Sequence, residues 1–125
     1  MSEIQIISGS AHPTLAQKIS ELLGVPLTPT NVEKFADGEI YVRIKQRVRG
    51  DDIFVIQTLA EPVNEHLMEL LITVDALRRA SAGRVNIICP YLAYSRQDRK
   101  AKAREPITSK LIANLISKAG ADRVM

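Results

Sequence analysis

Ile53-Phe54-Val55-Ile56 and Val85-Asn86-Ile87-Ile88-Cys89 are two short apolar runs that enclose a longer periodic stretch. Within that stretch Leu67, Leu70, Leu71, Val74 and Leu77 recur at helical spacing, and Met68, Ile72 and Ala76 widen the apolar face. Pro62 and Asn64 supply start signals for the helix. The reading is strand, helix, strand, the unit from which parallel sheets are built by right-handed crossovers. Runs that do not alternate with polar residues are expected to be covered on both faces. The breadth of the helix predicts the sheet on one side and something further on the other, a partner subunit being one candidate.

The same grammar extends in both directions. Ile4-Gln5-Ile6-Ile7 predicts a buried strand ending at Ser8-Gly9-Ser10. Pro13 opens a helix with Leu15, Ile19, Leu22 and Leu23 on its face, and Gly24 marks its end. Towards the other terminus, Pro106 and Thr108 open a third helix faced by Leu111, Ile112, Leu115 and Ile116, closed by Gly120. Arg123-Val124-Met125 reads as the start of another strand, so the chain is expected to be part of a longer one. One excursion interrupts the plan. Val32 to Phe35 is a weak strand, Asp37-Gly38 a hairpin signal, and Tyr41 to Val48 an alternating, two-faced strand. The expected fold class is α/β, a mainly parallel sheet flanked by helices, with an antiparallel hairpin.

Composition narrows the class. The 125 residues suffice for one domain, and 46% hydrophobic with 25% charged residues is normal for a soluble globular chain. Collagen-like, coiled-coil and disordered chains are excluded. A single cysteine leaves no intramolecular disulfide framework and points to a reducing compartment. Apolar runs of four or five residues are far short of the roughly 20 that cross a bilayer. The N-terminus lacks a basic start followed by a long apolar stretch. The expected location is cytoplasmic.

In a parallel sheet, ligands bind beyond the carboxyl ends of the strands. Three loops fall there: Ser8 to His12, Thr58 to Pro62 and Tyr91 to Pro106. From Tyr91 to Arg104 the last loop carries Arg96, Arg99, Lys100, Lys102 and Arg104 against one acid, Asp98. Its net +4 leaves −1 for the rest of a +3 chain. Arginine forks match phosphate oxygens and stack on bases, which points to a polyphosphate. On charge alone a solvated loop is an equal reading. Around the hairpin, Phe35 beside Asp37 and Glu39 could stack on a base while the acids accept hydrogens from amine or hydroxyl groups. An ordinary turn with a core-packed ring is the favoured alternative on those residues alone. Neither G-x-G-x-x-G nor a Gly-Lys-Ser/Thr phosphate loop occurs. His12 and His66 lack partners at metal-ligand spacing and read as helix-start residues. Cys89 reads as inert core. Ser8 and Ser10 lack a Ser-His-acid arrangement.

Several longer motifs carry a resemblance. Phe35-Ala36-Asp37-Gly38-Glu39 with Val48-Arg49-Gly50 resembles the flag hairpin of ribose-phosphate diphosphokinases, also called phosphoribosyl pyrophosphate synthases. Asn64 to Leu71, Asp75 to Ala82, Pro90-Tyr91-x-x-Tyr94-x-Arg96-Gln97-Asp98-Arg99, Pro106-Ile107-Thr108 and Ala119 to Arg123 are similar to that family too. The resemblance runs from about Ile4 to Met125. It implies residues 1–125 as the N-terminal domain of a two-domain enzyme of phosphoribosyltransferase-type fold, with the C-terminal domain outside this chain. The implied activity moves the diphosphoryl group of ATP to the 1-hydroxyl of ribose 5-phosphate, with Mg²⁺ required. The fragment alone is expected to be inactive, without catalytic or metal-binding residues of its own.

Residue by residue, the resemblance puts Arg96, Gln97, Asp98 and Arg99 at ATP, with Asp98 expected to orient the arginines. Phe35, Asp37 and Glu39 would reach the adenine and ribose of ATP held mainly by a neighbouring subunit, within dimers that build hexamers. Arg49, Ser81, Lys100, Lys102 and Arg104 fall in segments associated with an allosteric phosphate or ADP site. Arg47 departs from the Ser of several regulated members, which sets phosphate activation in question. A non-catalytic regulatory relative is the alternative within the family. A nucleic-acid binder would need a steep salt dependence and a basic helix face, which one short loop does not provide, so neither nucleic acid nor a membrane is an expected partner.

Overall fold

The computed structural model describes residues 3–96 and 102–125. Four strands, β1 (Ile4–Ser8), β4 (Asp52–Ile56), β5 (Arg84–Ile88) and β6 (Arg123–Val124), form a parallel sheet in the order β1-β4-β5-β6. The register is set by Ile4 opposite Asp52, Asp52 opposite Arg84 and Asn86 opposite Arg123. Helices α1 (Pro13–Leu23), α2 (Val63–Arg79) and α3 (Thr108–Ala119) connect them. Strands β2 (Thr30–Lys34) and β3 (Ile40–Ile44) make the separate antiparallel hairpin.

The apolar runs behave as their patterns require. Side chains alternate across a strand, so Ile7, Ile53, Val55, Val85 and Ile87 enter the main core with Leu70, Val74 and Leu77 of α2 and Ile112 and Ile116 of α3. Ile6 and Ile56 face the other way, onto Ala16, Leu15 and Ile19 of α1. Both faces are thus covered. The chain leaves β1 in two directions. Through α1 it returns to Leu27, which bridges Ile6 in parallel on the outer side of β1, and only later does it enter β4. The loops after β1 and β4 therefore flank a topological switch point.

Helix ends follow local chemistry. His12 caps α1 through its Nδ1, which accepts from the Leu15 N–H at 3.1 Å, and Gly24 closes it in the left-handed region. Neither α2 nor α3 has a side-chain cap; the residues before them are Pro62 and Ile107. Asn64 is a first-turn residue of α2, not its cap.

Two expectations are corrected. The hairpin's second strand ends at Ile44, not Val48. Beyond Ile44 the backbone finds other partners: the Lys45 N–H bonds the Pro29 carbonyl, and the Arg47 carbonyl accepts from the Gln5 side chain at 2.8 Å. Val48 then turns inward to the main core. The layer outside α2 is also internal, because β3 packs against that helix.

Buried Gln5 ties the base of the hairpin to β1. Its amide donates to Arg47 O and, at 2.6 Å, to Asp51 Oδ2; its carbonyl accepts from Thr28 Oγ1 at 2.9 Å and Gln46 Nε2 at 3.0 Å. At the other side of the sheet Asp122 accepts from the Val85 N–H at 2.9 Å and pairs with Arg78 of α2. The Val85 bond holds its carboxyl below the ordinary value of 3.8; burial opposes it, and the Arg78 charge and hydrogen bond add to the lowering. A lowered folded-state pKa stabilises the fold above the unfolded value and loses that effect as pH falls through the folded one. Asp122→Asn should therefore lower stability by about 1 kcal/mol at pH 7, discounted for exposure. Urea midpoints of the variant and the parent chain should converge as pH is lowered below the usual carboxylate range; a gap that persisted unchanged to pH 2 would refute this role.

Candidate nucleotide site

The three loops predicted to carry ligands have unequal standing in the structure. At the switch point, the crevice between the loops after β1 and β4 is filled by the chain's own side chains. Buried Glu69 of α2 accepts from the Ser10 N–H at 2.8 Å and from the Ser10 hydroxyl. Buried Gln57 accepts from the Ala11 N–H at 3.1 Å and donates to the His66 carbonyl at 3.3 Å. Gly9 lies so close that a Cβ there would stand 2.0 Å from Gln57 Oε1. The loop amides that could have met an anion already meet a carboxylate and an amide oxygen. His66 donates Nδ1–H to the Ala60 carbonyl at 2.7 Å in the turn into α2.

An open cleft lies one strand further on, beyond β5. It measures about 380 Å³ and is lined by Tyr91, Tyr94 and Arg96 on one side and by Pro62, Asn64 and Glu65 on the other. Its floor is fixed. The Tyr91 N–H donates to Thr58 Oγ1 at 3.1 Å, and the Leu59 N–H donates to the Tyr91 carbonyl at 2.9 Å. Ala93 is buried in the main core, and the Tyr94 hydroxyl donates to Asn64 Oδ1. Arg96 follows, exposed, at the mouth. The cleft lining therefore combines a guanidinium with two aromatic side chains. Gln97, Asp98, Arg99 and Lys100 lie outside the described residues.

A second cleft, of about 620 Å³, separates the hairpin tip from α2. Phe35, Asp37, Glu39 and Ile40 line one wall, and Asn64, Glu65, Met68 and Ile72 the other. Phe35 is 50% exposed, and its ring meets Tyr41 at 6.1 Å between centroids. The ring is available to a ligand instead of being locked in the core. Asp37 closes the tip by accepting from the Glu39 N–H at 3.0 Å. Lys34 and Glu65 pair at 2.9 Å across the base of this cleft. The two clefts share Asn64 and Glu65, so the first turn of α2 is their common wall.

The described residues of the group assigned to a phosphate or ADP site, Arg49, Ser81, Lys102 and Arg104, do not converge in one chain. Arg49 and Ser81 are neighbours: Arg49 bridges Ala82, and the Gly50 N–H bonds the Ser81 carbonyl at 2.9 Å. They precede β4 and β5, at the amino end of the sheet. Lys102 and Arg104 are exposed and lead into α3, which starts at the carboxyl end. Among the described residues, no three His, Cys, Asp or Glu side chains converge as metal ligands. The sequence places Tyr91, Tyr94 and Asn64 within the motifs that carry the resemblance but assigns none of them a role at a site. The clustering of Tyr91 and Tyr94 around Arg96 was the available clue; nothing in the sequence joins Asn64 to Tyr94, 30 residues away.

An open parallel sheet with a cleft beyond its carboxyl ends is the layout of an α/β ligand-binding domain. Comparison with known proteins makes the assignment specific. The family model for the N-terminal domain of ribose phosphate pyrophosphokinase matches residues 4–120, and the chain belongs to that family. It is 55% identical over 122 residues to the ribose-phosphate pyrophosphokinase of Maricaulis maris, covering 98% of this chain and 39% of the relative. For the protein of that name from Clostridium perfringens the identity is 56%, covering 98% and 38%. A crystal structure of phosphoribosylpyrophosphate synthetase from Mycobacterium smegmatis superimposes with a TM-score of 0.96 at 46% identity, over 98% of this chain and 41% of that one. The chain spans about two fifths of the length of these relatives.

Cys89 lies beneath the cleft floor, buried, its thiol donating to the Tyr91 carbonyl at 3.0 Å. Burial raises its pKa above the ordinary 9.0, outweighing the hydrogen bonds with Leu59 and Tyr91. A thiol with so little thiolate is a poor nucleophile. Native protein at pH 8 should resist a thiol reagent that labels it fully in denaturant; rapid native labelling would show that the floor opens.

Proposed function

We propose that this chain is the ATP-binding N-terminal part of an enzyme that transfers the β,γ-diphosphoryl group of ATP to the 1-hydroxyl of ribose 5-phosphate. The products are phosphoribosyl pyrophosphate and AMP. The observation that carries the reading is the cleft beyond β5, where Arg96 stands among aromatic side chains in a chain of this family. The guanidinium provides a planar donor for phosphate and a face for a base. In the reaction the sugar oxygen bonds to the β-phosphorus as the bond from that phosphorus to the α-phosphate oxygen breaks. AMP leaves with the electron pair, and the hydroxyl proton is released. Such transfers depend on alignment and on neutralising developing charge. Arg96, with Gln97, Asp98 and Arg99 in the same loop, serves that purpose at the nucleotide.

Phe35, Asp37 and Glu39 act on the ATP of a neighbouring subunit. Support comes from geometry: within one chain they line a different cleft from Arg96. A nucleotide enclosed by both sets takes its two halves from two chains, which gives a physical reason for a homo-oligomer. The same logic applies to an allosteric phosphate or ADP site built from Arg49, Ser81, Lys100, Lys102 and Arg104, whose described members occupy opposite ends of the sheet. Among the described residues no three His, Cys, Asp or Glu side chains gather to hold a metal. The ion that this chemistry uses would be held by nucleotide phosphates and groups outside that set. No helix among the described residues is long and apolar enough to cross a membrane, and a cytoplasmic location fits the composition.

In the full-length protein, Arg96→Ala should raise the Kd for ATP roughly tenfold or more, as loss of a bond to a charged group does. Binding of ribose 5-phosphate should change less than about twofold, since Arg96 is assigned to the nucleotide alone. Equal weakening of both ligands would defeat the assignment. Residues 1–125 alone should form no AMP that depends on ribose 5-phosphate; turnover by the purified fragment would place the catalytic groups within it.

A further inference from the structure

We infer that Tyr94 and Asn64 form a latch that positions Arg96 for the nucleotide, an inference that rests on the reading of the β5 cleft as the ATP site. Tyr94 has φ +67°, a left-handed conformation that a tyrosine rarely adopts. Something outside the local chain must hold it there. Two contacts do so. The buried Ala93 anchors the preceding residue, and the Tyr94 ring packs against the main core while its hydroxyl reaches Asn64 Oδ1. That bond is the last described tie to the body of the domain before the exposed Arg96, two residues on.

Asn64 is suited to the task by what it does not do. It stands in the first turn of α2, yet it makes no capping bond, and the helix has no side-chain cap. Its acceptor is turned across the cleft to the loop. The next residue, Glu65, pairs with Lys34 of the hairpin. One turn of a helix rooted in the core thus holds the Arg96 loop with one side chain and the hairpin with the next. Asn64 and Tyr94 are positioning residues: they act through Arg96.

The test uses the full-length protein with Tyr94→Phe, Asn64→Leu and the double substitution. It measures the ATP Kd, the KM for ATP and for ribose 5-phosphate, and the Tm. Each single change should raise the ATP KM about three- to tenfold, the range set by one lost hydrogen bond. The KM for ribose 5-phosphate and the Tm should stay near the parent values. The double variant should be no worse than the weaker single one, since both remove the same interaction. An unchanged ATP KM in Tyr94→Phe would overturn the latch, as would multiplying effects in the double variant. A parallel loss of affinity for both substrates with a lowered Tm would reduce the pair to general support and also overturn it. Absence of ATP binding by the parent protein would overturn the site assignment and the latch together, whereas normal parental binding with unaffected variants removes the latch alone.

Discussion

Helix α2 is covered twice, and the arrangement of both clefts depends on it. Leu70, Val74 and Leu77 are buried against the parallel sheet, while β3 lies over the outer side. A helix held between two layers cannot roll or slide without opening one of them, because interiors are close-packed. Its first turn is therefore a fixed reference for everything around it. The loop after β5 and the hairpin tip reach that turn from opposite sides, and the surfaces they leave uncovered are the two clefts.

Most of the scaffold was legible because its signals are local. The β-branched runs, Pro13 and Gly24 around α1, and the leucine spacing of α2 each report on a single element. What escaped the sequence depends on partners far along the chain. The alternation from Tyr41 to Val48 suggests an eight-residue strand, but Gln5 captures the Arg47 carbonyl and Val48 joins the main core. Gln57 and Glu69 are polar letters that reveal burial only when Ala11 and Ser10 come to meet them. At the candidate site the balance is similar. Arg96 was conspicuous by charge, and Phe35 by its rarity and its acidic neighbours. That they belong to different clefts of one chain follows only from the packing of the hairpin on α2.

The buried polar groups also explain why the cleft is displaced from the switch point. Parallel α/β sheets bind ligands where the strand order reverses. Here that position holds Glu69 and Gln57, which satisfy the loop amides from within. A buried carboxylate with two donors is costly to leave unpaired, so the crevice is a structural joint. Open volume appears one strand over, beside Tyr91, Tyr94 and Arg96 of the chain after β5.

Gln5 gives the hairpin a mechanical character. With four hydrogen bonds its amide is fully used, and the partners lie on both legs of the hairpin where they leave the body. The five-residue strands beyond form an arm of roughly 16 Å. Over that arm a tilt of about 5° at the base carries the phenyl ring at the tip through about 1.4 Å. That displacement is a large fraction of a stacking distance. The position of the Phe35 ring is thus set by a glutamine in the first strand together with the packing of β3 on α2, and the tolerance of the joint is a matter of a few degrees.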